Sequence, residues 1–108
     1  MDAKSRTFRL STKIIQVTGE IDMKSAPRLR EKLRRTLDQK PQAVMLKLSD
    51  VTYMDSAGVA VLVEAHQWAK RERIIFTLAD PSPAARAVIE MARLMKFFVV
   101  TGDVDGAE

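Results

Sequence analysis

One short segment, residues 53–59, combines residue types that can do chemistry. It reads Tyr-Met-Asp-Ser-Ala-Gly-Val and lies between a strand-like and a helix-like stretch. The first turn of a helix leaves backbone N–H groups unpaired and carries a partial positive charge. One interpretation is a plain helix cap, formed by Asp55 or by Ser56, which is the usual role of Asp and Ser there; the other is a Ser56 hydroxyl that carries a phosphate. Both interpretations place Ser56 at the start of a helix.

Catalysis by Ser56 is not expected. The only histidine, His66, lies on the same predicted helix, about 15 Å further along at 1.5 Å per residue. His66 therefore cannot act as a general base for Ser56 within one subunit. The chain has no cysteine, which excludes thiol catalysis and disulfides, and it has no glycine-rich phosphate loop. We predict that the protein is not an enzyme, with no cofactor and no metal site.

Strand-like and helix-like stretches alternate around this segment. The strand-like stretches are residues 14–18, 43–48, 74–79 and 97–100, and the helix-like stretches are residues 26–39, 56–71 and 83–94. Residues 7–10 form a further β-type stretch, which indicates a hairpin or a bent edge strand. Residues 19–22 are predicted to be a turn, and Ser25 and Ser82 are predicted helix caps.

This alternation predicts βαβ units with right-handed crossovers. We therefore expect an α/β domain with a mixed, mostly parallel sheet of four to five strands and about three helices. The periodicity is compatible with helices on one face of the sheet or on both.

Composition sets the remaining limits. The chain has 108 residues and is 46% hydrophobic and 30% charged, which predicts a single domain over residues 1–108 with a core at about residues 8–100. No apolar run approaches the about 20 residues that span a bilayer, and the start of the chain lacks a signal-peptide pattern. A cytoplasmic location without membrane insertion is therefore predicted.

The net charge is +4, with a sequence pI of about 9.7, which is ordinary for the solubility of a small domain. The cations of the first predicted helix wrap widely around it; they are Arg28, Arg30, Lys32, Arg34 and Arg35. We therefore predict no specific nucleic-acid site.

Three segments, in this order along the chain, resemble the STAS domain family, which is named for sulfate transporters and anti-sigma factor antagonists. Residues 17–22, Val-Thr-Gly-Glu-Ile-Asp, resemble the family's GELD turn. Residues 48–58 resemble its LSxVxxMDSSG phosphoacceptor segment. Residues 80–83, followed by Val88 and Ile89, resemble its last loop and helix. The similarity covers about residues 8–100, and it implies the STAS fold.

The resemblance also implies a function and a site. In STAS proteins that antagonise anti-sigma factors, the serine after the Met-Asp pair is phosphorylated by a kinase that is itself the anti-sigma factor. That serine corresponds to Ser56, and the aspartate of the GELD turn, which helps to bind the kinase, corresponds to Asp22. The implied protein is an antagonist in a partner-switching pathway that binds an ATP-using kinase. Its implied contact residues are Asp22, Asp55, Ser56, Ala57 and Gly58.

A second function is compatible with the same resemblance. The STAS regulatory subunit of a lipid-asymmetry (Mla-type) ABC transporter binds an ATPase subunit without a phosphorylation cycle. The basic net charge favours this alternative, as does Arg71-Glu72-Arg73, where antagonists often carry Gly-Gly. The combination of Ser56, Asp22 and Asp55 favours the antagonist. In both cases the partner is an ATP-binding protein.

Overall fold

The computed structural model describes residues 11–102, which form four strands and three helices. In chain order they are β1 (Thr12–Ile21), α1 (Ala26–Asp38), β2 (Ala43–Met54), α2 (Ser56–Arg71), β3 (Ile75–Ala79), α3 (Pro83–Met91) and β4 (Val99–Thr101). The four strands are parallel and lie in the order β1-β2-β3-β4. The predicted α/β fold is confirmed, while residues 7–10, the predicted additional edge stretch, lie outside the described residues.

The helices share one face of the sheet. Strand order follows chain order, so successive right-handed crossovers return on the same side. α1 contacts α2, and α3 contacts both α2 and β2. Beneath the helices β2 buries Val44, Leu46 and Leu48 with the period of two that a strand imposes. On the opposite face Ile14 and Ile75 remain exposed.

The helix ends follow from local sequence. Leu29, Leu33 and Leu37 recur at a spacing of four and form the buried stripe of α1. At the start of α3 the Ser82 side chain accepts a hydrogen bond from the Ala85 N–H at 3.1 Å, as predicted. α3 ends at Met91, earlier than predicted, and the Leu94 N–H turns back to the Ile89 carbonyl oxygen. Such a bond closes a helix end.

β1 and β2 are longer than predicted, and this lengthening builds the site. Residues 19–21 belong to β1 and are not a turn, because Ile21 pairs with Met54 and is buried. Gly19 has φ +83° at a register shift in the β1–β2 ladder, a conformation that glycine adopts without strain. β2 likewise continues through the predicted connector to Met54. Both strands therefore extend to a shared carboxyl end.

Candidate partner-binding site at the ends of β1 and β2

The site lies where β1 and β2 end side by side. Ile21 pairs with Met54, and the Asp55 N–H donates to the Ile21 carbonyl oxygen at 3.3 Å. Asp22 and Asp55 follow directly on these two strand ends, so the ladder brings them together although they lie far apart in the chain. Both line one open groove, whose other side chains are Glu20, Met23, Lys24 and Tyr53. The groove therefore carries three carboxylates and one ammonium group.

Asp55 caps α2, and Ser56 is the first residue of that helix. Asp55 Oδ1 accepts a hydrogen bond from the Ala57 N–H at 2.9 Å, and its carbonyl oxygen accepts one from the Gly58 N–H at 3.0 Å. The predicted helix start at Ser56 is confirmed. Fewer N–H groups are open than the sequence suggested, because the cap already occupies those of Ala57 and Gly58. Ser56 itself is exposed, so its hydroxyl faces solvent beside the Asp55 cap.

Gly58 holds the start of α2 close to both strands. It is buried, and a Cβ at this position would lie 2.8 Å from Met54 Cγ and 3.0 Å from Ile21 Cγ2. Real Cβ atoms essentially never approach other atoms within 3.0 Å, so the Met54 and Ile21 side chains or the start of the helix would have to shift. Of the predicted contact residues, Ser56 is exposed, Asp22, Asp55 and Ala57 are half-buried and Gly58 is buried.

Asp22 organises the turn between β1 and α1. Its Oδ1 accepts hydrogen bonds from the N–H groups of Lys24 at 2.9 Å and Ser25 at 3.0 Å. The Ser25 N–H is the main reason that the pKa of Asp22 lies below its ordinary value, so the carboxylate stays charged. Ser25 precedes α1 as predicted, but its hydroxyl makes no helix-capping bond; it accepts the Asp22 N–H at 2.9 Å and donates to the Glu20 carbonyl oxygen at 2.7 Å.

Three large side chains near Ser56 were not predicted as site residues. Met23 is 77% exposed, Tyr53 is 48% exposed and Met91 is 83% exposed. Met23 and Tyr53 line the acidic groove, while Met91 lines a second groove of about 460 Å³ that also contains Ser56. Ser56 therefore lies between two grooves that both expose apolar surface. The available sequence signal was Met23, a large apolar residue between Asp22 and Lys24 in a polar turn.

His66 is remote from this site. Its ring lies 4.4 Å from Phe97 and 5.6 Å from Phe98, measured between ring centroids, and its Nδ1 atom is buried without a hydrogen-bond partner. Burial is the main cause, and the charge of Lys70 a second one, of a His66 pKa below 6.5. Within residues 11–102 no group of three or more His, Asp or Glu side chains is arranged to hold a metal ion. In the same range no helix is long and apolar enough to cross a membrane.

The arrangement is thus an exposed serine at the start of a helix, flanked by carboxylates and apolar side chains, on a small parallel sheet covered by three helices. The STAS domain model matches residues 4–107, and the chain belongs to the STAS domain family.

Relatives place the chain more narrowly. It is 35% identical over 88 residues to the anti-sigma-B factor antagonist of Bacillus subtilis, covering 82% of this chain and 72% of that protein. It is 32% identical over 91 residues to the anti-sigma-B factor antagonist of Listeria monocytogenes, covering 82% of this chain and 69% of that one. The crystal structure of an anti-sigma factor antagonist from Mycobacterium paratuberculosis matches with a TM-score of 0.79 and 28% identity, covering 89% of this chain and 81% of that one.

The predicted resemblance is therefore confirmed, and the chain has anti-sigma factor antagonists as homologues. Such antagonists are binding proteins and not enzymes, in agreement with the prediction for this chain.

Proposed function

We propose that this protein is an anti-sigma factor antagonist in a cytoplasmic partner-switching pathway, where it binds an ATP-using anti-sigma kinase and is released by phosphorylation of Ser56. The observation that carries the proposal is the exposed Ser56 hydroxyl at the first residue of α2, beside the groove that holds Asp22 and Asp55. The identity to curated antagonists supports it.

The surroundings of the serines favour Ser56 as the modified residue. Ser25 donates its hydroxyl to the Glu20 carbonyl oxygen, and Ser82 is buried while capping α3. Ser11 accepts a hydrogen bond from the Gln42 N–H. Within residues 11–102 only Ser49 and Ser56 are exposed serines, and of these only Ser56 opens a helix. In this part of the chain, Ser56 is therefore the one exposed serine that a kinase meets at a helix N-terminus.

A phosphate on Ser56 affects docking more than folding. It adds a charge of about −1.5 to −2, and the helix N-terminus offsets part of it, by about 0.3–1 kcal/mol. On a docked face the same charge would be taken out of water beside Asp55 and Asp22, which costs several kcal/mol when it is not paired. We therefore expect the phosphorylated protein to stay folded and to release its partner.

In this proposal, apolar contacts with the partner provide the affinity of the unphosphorylated protein, and the phosphate on Ser56 outweighs them. Met23, Tyr53 and Met91 are exposed around Ser56, and tyrosine is among the residues that contribute most at protein interfaces. A partner that covers both grooves buries these side chains and places Ser56 within the interface.

Calorimetric titration of the protein with the candidate anti-sigma kinases of its own genome tests the proposal. Ser56→Glu should weaken binding at least about tenfold, equivalent to 1.4 kcal/mol, while Ser56→Ala should bind like the wild type because it removes only a hydroxyl. Ser49→Glu is the matched control, since it puts the same charge on the other exposed serine and should leave binding unchanged. Incubation with the kinase and ATP should add one phosphate, at Ser56.

Equal binding by Ser56→Glu and the wild type would contradict the proposal. A second contradicting result is a native protein that is never phosphorylated at Ser56 and that binds an ABC-transporter ATPase. That result would instead support the alternative function, a STAS regulatory subunit of an ABC transporter.

A further inference from the structure

The end of the molecule opposite Ser56 is strongly basic. Five exposed cations lie where the chain leaves α1 and α2 and shortly before it enters β4, and we call them the basic pole: Lys40, Lys70, Arg71, Arg73 and Lys96. Arg93, a further exposed cation, is not part of the pole, because it follows Met91 and Ala92, which line a groove with Ser56. The groove beside Ser56 holds three acids and one cation. The charges are therefore distributed unevenly, with a cluster of cations at one end and an acidic groove at the other.

Contacts between the segments that follow α1 and α2, and between α2 and the segment before β4, bring the residues of the basic pole together. Lys40, after α1, forms an ion pair with Glu72, after α2, with 2.7 Å between Nζ and Oε1. Lys70 and Arg71 line one groove with Phe97, the neighbour of Lys96. Asp38 and Glu72 are the acids whose charges act on Lys40. Within residues 11–102 the other four cations have no ion-pair partner within 4.0 Å, so the pole keeps a net positive charge.

Helix capping does not fully account for these cations. A cation near a helix C-terminus interacts favourably with the helix dipole, which explains the sign of the charge. Lys40 and Arg73, however, have φ of +54° and +60°, in the left-handed region where the residue after a helix is usually glycine. A side chain with a Cβ is strained there. Both connections therefore keep a long cationic side chain where glycine fits the backbone better.

Two exposed apolar side chains lie at the same end of the molecule as these cations. Ile75 is 64% exposed and follows Arg73 by two residues, and its N–H donates to the carbonyl oxygen of Gln42, two residues after Lys40, at 3.0 Å. Phe97 is 38% exposed and shares a groove with Lys70 and Arg71. Cations alone fit any polyanion. Cations with apolar side chains beside them fit the interface of an anionic bilayer, where headgroups pair with the charges and the acyl boundary accepts the apolar groups.

We infer that the basic pole docks this protein on the surface of a membrane that contains anionic lipids, without a membrane span. α2 separates Ser56 from Arg71 by about 22 Å at 1.5 Å per residue. A molecule that binds the membrane through the basic pole therefore points the Ser56 end away from the lipid. It can bind the membrane and its protein partner at the same time. The inference does not depend on the identity of the partner at Ser56.

Flotation with lipid vesicles tests the inference on the full chain. The wild type should float with phosphatidylcholine vesicles that contain phosphatidylglycerol, and not with phosphatidylcholine alone, at physiological ionic strength. Each cation near such a surface contributes about fivefold to partitioning, so the double variant Arg71→Glu with Arg73→Glu should lose binding. Arg28→Glu with Lys32→Glu is the matched control, because it changes the net charge equally on the exposed surface of α1 and should bind far better.

Two single variants separate this docking from a structural role and from a general attraction to polyanions. Arg73→Gly relieves the left-handed backbone strain, so it should melt no lower than the wild type while partitioning about fivefold more weakly. Ile75→Ser should weaken vesicle binding and leave binding to duplex DNA unchanged. Equal flotation with neutral vesicles, equal loss in the two double variants, no effect of Ile75→Ser, or tighter binding to duplex DNA than to anionic vesicles would each overturn the inference.

Discussion

The two ends of α2 reach their conformations by opposite means. At the N-terminal end an aspartate caps the helix, and Gly58 lets the backbone approach Ile21 and Met54 because it has no side chain. At the C-terminal end Arg73 occupies a left-handed conformation that glycine would adopt more easily, while the Ile74 N–H closes the helix on the Ala69 carbonyl oxygen at 2.8 Å.

This difference indicates at which end of α2 the fold tolerates amino-acid substitutions. The N-terminal end depends on the absence of a side chain at position 58, so a Cβ there displaces Met54, Ile21 or the start of the helix that carries Ser56. The C-terminal end carries side chains that its backbone does not require, so they can be replaced without loss of the fold. The proposed switch is therefore built on the less tolerant end.

The largest expected effect comes from filling the space at Gly58. Gly58→Ala should lower the free energy of unfolding by about 1–3 kcal/mol through overpacking, although alanine is the better helix former by about 1 kcal/mol. Urea denaturation measures this, and partner binding should fall in parallel because Ser56 moves. Ala60→Gly, at an exposed position one helical turn away from Ser56, should cost no more than about 1 kcal/mol. A Gly58→Ala protein as stable as the wild type would show that the close contact at position 58 does not limit the fold.

An intermediate effect is expected at the Asp55 cap. Asp55→Ala removes the acceptor of the Ala57 N–H and should cost about 1 kcal/mol of folding free energy. Asp55→Asn keeps an acceptor oxygen, so its unfolding midpoint should stay close to that of the wild type. If both variants lose the same stability, the charge of Asp55 matters more than its hydrogen bond.

The smallest expected effect is a pH dependence near the C-terminal end of α2. Burial and the charge of Lys70 lower the pKa of His66 below 6.5, so the unfolded chain binds this proton more readily than the folded one. Stability from this group is therefore complete above pH 6.5 and falls as the pH drops from 6.5 towards the folded pKa. Urea midpoints measured on both sides of pH 6.5 should shift more for the wild type than for His66→Gln. Parallel shifts would show that His66 does not contribute.

Local patterns predicted the helices well. The bounds of α2 agree with the apolar spacing and the Asp-Ser start, and the start of α3 agrees with Ser82 followed by Pro83. These features are decided within one or two turns of chain, so their signals are present in short stretches of sequence. The strand ends were less predictable, because Ile21 and Met54 are strand residues only through their pairing with each other.

The site was predictable in part. The resemblance singled out Asp22, Asp55 and Ser56, and strand pairing then places the two aspartates along one groove. The role of Ser25 was not predictable, since its hydroxyl bonds to Glu20 and Asp22 instead of to α1. Met23 gave a signal, since it is a large apolar residue in a polar turn. The exposure of Tyr53 and Met91 was not predictable, because an apolar pattern does not show which of its residues are buried.

The sequence by itself determined the α/β class, the order of the elements, the family and the position of Ser56 at a helix start, because each rests on neighbouring residues or on a linear motif. The tertiary structure was needed to show that Asp22 and Asp55 share a groove and that a side chain at position 58 would collide with Ile21 and Met54. It was also needed to show that Lys40 pairs with Glu72 and that Lys70 and Arg71 share a groove with Phe97. These are distances between residues far apart in the chain. Parallel strands with crossover helices set such distances, since every strand then ends at the same edge of the sheet and every crossover brings the chain back to the other.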